Sequence, residues 1–182
     1  VGLPFAQPLS LIVKDSTGRT VEGVKVTFTL PAGTLSGTFP GATPTTLVTY
    51  TNTLGVATSD IVTAKTRSGT FNARATVTGL AGSTNFALTV LPDVPFRATA
   101  SVGAQSVAAG SAFARAPSLY VTDQYNNRVP GVPVSFALPA TGPSGVFGAP
   151  VNGITAPVTT AANGVATSPL VTANLFVGAH QA

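Results

Sequence analysis

The chain has 182 residues, of which 44% are hydrophobic and only 8% charged, against roughly 25% charged in an average soluble protein. Nine Lys and Arg against five Asp and Glu leave a formal charge of +4, but the basic residues are scattered singly and carry no RNA-type aromatic motif, so the balance argues against nucleic-acid binding. The absence of cysteine excludes disulfides and thiolate metal sites.

In chain order, Leu9, Leu11 and Val13 alternate as a first strand. The turn DSTGRTVEG follows, in which Asp15 can bond the backbone ahead of it and Gly18 tolerates positive φ. Residues 24–30, VKVTFTL, form the strongest strand: Val24, Val26, Phe28 and Leu30 face one way, Lys25, Thr27 and Thr29 the other. TNTLG at 51–55 reads as a hairpin turn leading into a strand over 56–64. Residues 70–78 bury Phe71, Ala73, Ala75 and Val77, residues 84–90 bury Phe86, Leu88 and Val90, and GLAGS at 79–83 joins the two as a hairpin. LPDVP at 91–95 carries two prolines and forms a short, stiff linker.

Beyond the linker the same text returns. SLIVKDSTGRTVEGVKVTFTLP at 10–31 matches SLYVTDQYNNRVPGVPVSFALP at 118–139 in eleven of 22 positions, and GVATSDIVTA at 55–64 matches GVATSPLVTA at 164–173 in eight of ten. In the copy, Val132, Val134, Phe136 and Leu138 face inward, Asp123 and Asn126 take the turn positions, and TAANG at 160–164 leads into a strand over 165–173. A repeat of this kind means one folding unit used more than once. Many short strands spaced by turns make an all-β fold of β-sandwiches, with units at 1–92 and 93–182.

From Val129 to the end there is no Asp, Glu, Lys or Arg, but seven prolines interrupt the run, so it reads as strand and loop with no membrane segment. So charge-poor a surface is expected to be covered by neighbours. Both units look incomplete as written. Residues 1–11 already match 109–119, so the first unit lacks the opening strand of the second; Ala182 aligns with Ala73, so the second lacks counterparts of 74–90. Starting at Val, the chain reads as a fragment or a processed form, or as a subunit whose missing strands neighbouring chains supply.

The pattern D-x-x-x-x-x-V-x-G-V-x-V-x-F, then a turn and N-G-V-A-T, resembles bacterial immunoglobulin-like domains of the invasin and intimin adhesin group. It is carried by Asp15, Val21, Gly23, Val24, Val26, Phe28 and Gly55–Thr58, and by Asp123, Val129, Gly131, Val132, Val134, Phe136 and Asn163–Thr167. The first copy departs from it with Leu54 where the motif prefers Asn. The resemblance covers nearly all of the chain and implies tandem seven-stranded immunoglobulin-like sandwiches, distinct from disulfide-stapled antibody domains, on a bacterial surface or secreted protein. In that family most such domains are spacers. The implied function is a structural or adhesive repeat segment, extracellular and semi-rigid. The alternative is a self-assembling subunit of a filament, sheath or surface layer completed by strand exchange. Partners are then proteins: neighbouring copies or a host or cell-surface receptor.

No enzyme is expected. The single histidine, His180, aligns with Phe71, an inward strand position, and the carboxylates Asp15, Glu22, Asp60, Asp93 and Asp123 are spread thinly. A weak calcium site at the unit junction would use Asp93 with Asp15 or Asp123, although turn-capping is the simpler role for these aspartates. The Gly-rich GTLSG and GLAGS lack the Lys and the helix of a phosphate loop. No cofactor is implied. Asp15, Gly23, Asp123 and Gly131 are read as structural turn residues. Among Tyr50, Tyr120 and Tyr125, Tyr120 aligns with Ile12 as an outward strand residue, and Tyr125 in the turn is the best candidate for a contact.

Overall fold

The computed structural model describes residues 1–41 and 43–178. All regular structure among them is β-strand. No described helix is long and apolar enough to cross a membrane. The chain divides into two compact units, Val1–Pro92 and Asp93–Ala182.

The first unit contains β1 (Ser10–Ile12), β2 (Lys25–Thr29), β3 (Gly37–Thr38), β4 (Thr46–Tyr50), β5 (Val56–Thr58), β6 (Thr63–Ala64), β7 (Gly69–Val77) and β8 (Thr84–Val90). Four strands form one antiparallel sheet in the order β4-β2-β7-β8, while β1 pairs with β5 and β3 with β6. Alternation dictates which side faces in: Val26 and Phe28 are wholly buried between exposed Lys25 and Thr29. On β7, Phe71, Ala73 and Ala75 are buried between exposed Thr70, Asn72 and Arg74. Large meets small across the ladder, since Phe28 lies opposite Ala75. The neighbouring Phe86 ring sits 6.1 Å from that of Phe28 at a tilt of 50°. On the outer strand β8 only Val90 is buried; Phe86 and Leu88 are half-buried, because β8 has a sheet neighbour on one side alone. Val77 and Val24 are likewise half-buried.

The second unit contains β9 (Arg97–Ala100), β10 (Ser118–Thr122), β11 (Pro133–Ala137), β12 (Gly145–Phe147), β13 (Thr155–Thr159), β14 (Val165–Thr167) and β15 (Val171–Ala173). Its pairings repeat those of the first unit. The ladder β1–β5 recurs as β10–β14, β2–β4 as β11–β13, and β3–β6 as β12–β15. Even the isolated bridges recur: Pro4 to Thr63 becomes Ala112 to Thr172, and Lys14 to Thr20 becomes Thr122 to Arg128. Two features differ. β9 adds a third strand beside β10, with no counterpart beside β1, and among the described residues nothing in the second unit corresponds to β7 and β8.

The continuous strands expected over 56–64 and 165–173 are each broken in two. The first half pairs with β1 or β10, the second with β3 or β12. The break falls at Ser59 and Ser168. Ser59 Oγ accepts from the Leu9 N–H and donates to the Asp60 carbonyl, so a side chain takes over where the ladder ends. In the copy Pro117 replaces Leu9 and has no N–H, and Ser168 Oγ donates to the Pro117 and Pro169 carbonyls instead.

Candidate functional site

The two aspartate turns share a plan but not an environment. Asp15 Oδ1 accepts from the Thr17 hydroxyl at 2.7 Å and from the N–H groups of Thr17 and Arg19 at 2.8 and 3.0 Å. The Thr17 hydroxyl first, then the backbone donors, hold its carboxyl below the ordinary carboxylate value, and the residue is exposed. Asp123 is 1% exposed. Its Oδ1 accepts from the N–H groups of Tyr125 and Asn127, and its Oδ2 from the Asp93 N–H and the Asn127 side-chain amide, all at 2.8–2.9 Å. Burial pushes this carboxyl up, but the Asn127 amide and the three N–H donors together outweigh that and hold it below its ordinary value.

The glycines of the next turn act through backbone conformation. Gly23 and Gly131 have φ of 74° and 75°, with nothing within 4 Å of a Cβ added at either. Each donates its N–H across the turn, to the Thr51 and Thr160 carbonyls respectively. The same two threonines, which sequence reasoning passed over, clamp the turn with buried side chains. Thr51 Oγ1 donates to the Val21 carbonyl and accepts the Val24 N–H; Thr160 Oγ1 does the same with Val129 and Val132. Ser36 and Ser144 form another such pair, donating to the Pro31 and Pro139 carbonyls. Their identity in both copies was the available signal: a hydroxyl retained at a buried position needs a backbone partner. The departure at Leu54 is compensated by Asn52, whose Oδ1 accepts from the Leu54 and Val56 N–H groups, much as Asn163 Oδ1 accepts from Val165 in the copy.

The tyrosines separate. Tyr125 is 43% exposed at the rim of the Asp123 turn, and Tyr50 is exposed on β4. Tyr120 is half-buried under the Arg128 guanidinium, which stands 3.5 Å from its ring centroid. His180 lies outside the described residues. Asp93 and Asp123 do come together, but through the Asp93 N–H rather than through a shared ion. Asp93 Oδ1 accepts the Val94 N–H and Oδ2 the Gln124 amide. The four donors on Asp123 and the two on Asp93 show both carboxylates in the turn-capping role. Among the described residues no three His, Cys, Asp or Glu gather as metal ligands.

A sizeable concavity belongs to the second unit. A groove of about 990 Å³ opens beside β11, floored by Phe113, Leu119, Phe136, Leu138 and Val171 and bordered by residues 102–107 and 176–178. It is apolar at its base, and among the described residues only β13 pairs with β11. Comparison with protein-family models, with curated proteins and with solved structures returns no match to this chain.

Proposed function

We propose that the chain is a structural, adhesive repeat segment of a bacterial cell-surface or secreted protein. In this reading two tandem immunoglobulin-like β-sandwich domains act as a semi-rigid spacer. The observation that carries it is the pair-by-pair recurrence of three ladders and two isolated bridges in successive units. A unit whose ladders, buried hydroxyls and turn recur together is selected as a building block. The linker supports stiffness. Pro92 and Pro95 fall within its five residues, and each ring fixes a φ angle. Pulling single molecules from their ends tests the reading. A spacer shows two separate unfolding events, each releasing roughly 300 Å for a unit of about 90 residues; extension without such events refutes it.

A second reading, a subunit that assembles into an extracellular filament, sheath or surface layer, is favoured by the stretch from Val129 to Ala182, which carries no Asp, Glu, Lys or Arg. Light scattering with negative-stain microscopy separates the two: large oligomers support assembly, and a clean monomer removes it.

A further inference from the structure

The chain carries two Asn-Gly pairs, both in the second unit: Asn152-Gly153 and Asn163-Gly164. Asparagine is a labile residue, and glycine after it exposes the attacking atom, because no side chain shields its backbone nitrogen. The fold treats the two pairs in opposite ways. At the second pair the Gly164 N–H donates to the Ala161 carbonyl at 2.8 Å, and Asn163 Oδ1 accepts from the Val165 N–H at 3.0 Å. Gly164 is buried, and a Cβ added to it would stand 2.7 Å from the Arg128 Cβ. Both reacting groups are therefore held and crowded.

At the first pair neither is held. Asn152 is exposed, and among the described residues neither its side chain nor the Gly153 N–H has a hydrogen-bond partner. A Cβ added to Gly153 would meet only Val151, at 3.8 Å. The turn is loosely tied, since Val151 and Asn152 both donate to the Gly148 carbonyl at 3.2 Å. Asn152 takes a φ of 49°, a conformation that asparagine tolerates. The first unit lacks both pairs. Its Phe39 N–H donates to the Pro44 carbonyl as Phe147 donates to Gly153, so Pro44, which has no N–H to react, stands where Gly153 does. Leu54 precedes Gly55 where Asn163 precedes Gly164.

We propose that Asn152-Gly153 is a site of self-catalysed deamidation. The Gly153 nitrogen attacks Asn152 Cγ. A new N–C bond closes a succinimide ring, the bond to Nδ2 breaks, and ammonia leaves with the proton that Gly153 gave up. Water, the only co-reactant, then opens the ring at either carbonyl. The product is aspartate, or isoaspartate whose main chain runs through Cγ and is longer by a methylene. Either one places a carboxylate, ionised at neutral pH, in the stretch from Val129 to Ala182 that holds no charge, and lowers the formal charge of +4 by one. Isoaspartate also lengthens the turn between β12 and β13. There the Phe147 N–H is held by the Gly153 carbonyl and the Leu138 N–H by that of Ile154, each at 2.8 Å. The chemistry is the same whether the chain is a spacer or an assembling subunit.

The test incubates the whole chain at mildly alkaline pH and maps its peptides by mass spectrometry, with fragmentation that separates aspartate from isoaspartate. Acid at position 152, mostly isoaspartate, should accumulate roughly tenfold or more faster than at 163, where two bonds must open first. In urea both pairs lose their surroundings and the two rates converge. Gly153→Ala has room for its methyl group and no positive φ to strain, so it keeps the far-ultraviolet circular dichroism and slows the reaction many-fold. If Gly153→Ala proves unfolded, the comparison of folded and urea-unfolded native chain decides. No acid at 152, aspartate without isoaspartate, equal rates at 152 and 163, a difference that survives in urea, or a folded Gly153→Ala that reacts at the native rate overturns the proposal. Hydrogen exchange of the Phe147 amide should quicken in the aged native chain and stay constant in aged Asn152→Gly, whose glycine accepts the same φ. Unchanged exchange in the aged native chain overturns the lengthened turn.

Discussion

Asp15 and Asp123 occupy the same position of the same repeat, yet removing them should have unequal effects. Asp15 bonds only its own exposed turn, where water can replace the carboxylate in Asp15→Ala. Asp123 is buried and takes four bonds from three places: the linker end at Asp93, the Tyr125 N–H, and both donors of Asn127. At about 1 kcal/mol net per bond, reduced by the desolvation cost of the lost charge, Asp123→Ala should destabilise the second unit by roughly 2–4 kcal/mol. That lowers the melting temperature of a unit of this size by roughly 10–20 °C. Hydrogen exchange read separately over 10–31 and 118–139 assigns the effect to a unit. Exchange across 118–139 should quicken sharply in Asp123→Ala, with 10–31 unchanged; Asp15→Ala should alter 10–31 much less. Equal responses to the two substitutions would refute the reasoning, since the bond census would then not govern the cost.

The Asp123 carboxyl lies below the ordinary value near 4, so it binds fewer protons folded than unfolded. Its contribution is therefore complete above about pH 4 and is lost as pH falls through the depressed folded value. Acid titration of unfolding should show a steeper loss below pH 4 in the native chain than in Asp123→Asn. Thr51→Val and Thr160→Val each delete two buried bonds at nearly constant volume and should cost roughly 1–3 kcal/mol in their own unit, measured by urea unfolding. Gly164→Ala would force φ of 70° on an alanine and bring its Cβ to 2.7 Å from that of Arg128, so a loss above about 1–2 kcal/mol is expected; Gly55→Ala, 2.8 Å from the Thr20 Cβ, should match it.

Much of the strand order was legible because alternation and turn chemistry agree. VKVTFTL could only be a half-buried strand, and Asp15 with Gly18, or Asp123 with Asn126, could only be a turn. The broken strands were not legible. GVATSDIVTA alternates acceptably throughout, and nothing in its hydrophobicity reveals that Ser59 diverts the chain from β1 to β3. The Gly-rich GTLSG was read only as lacking a phosphate loop's chemistry. Its Gly37 is required by a close approach instead: an added Cβ would run into Val62 Cγ1 and stand 2.9 Å from the Thr63 carbonyl oxygen. The meeting of Asp93 with Asp123 was considered as a weak calcium site, but that it is made through the Asp93 backbone N–H, across 30 residues, is something no side-chain pattern encodes. The groove beside β11 lies at the position that β7 takes beside β2 in the first unit, a correspondence that alignment of the two copies makes readable.

The serine that ends one ladder and begins another has a mechanical consequence. Because the run from Val56 to Ala64 is bonded first to β1 and then to β3, it works as a stitch through two sheets. Peeling either sheet drags the other, so neither can fray while its neighbour stays intact. The same thread runs from Val165 to Ala173. Under tension each unit should therefore yield in a single rupture, at a load set by the stitch instead of by the weaker ladder.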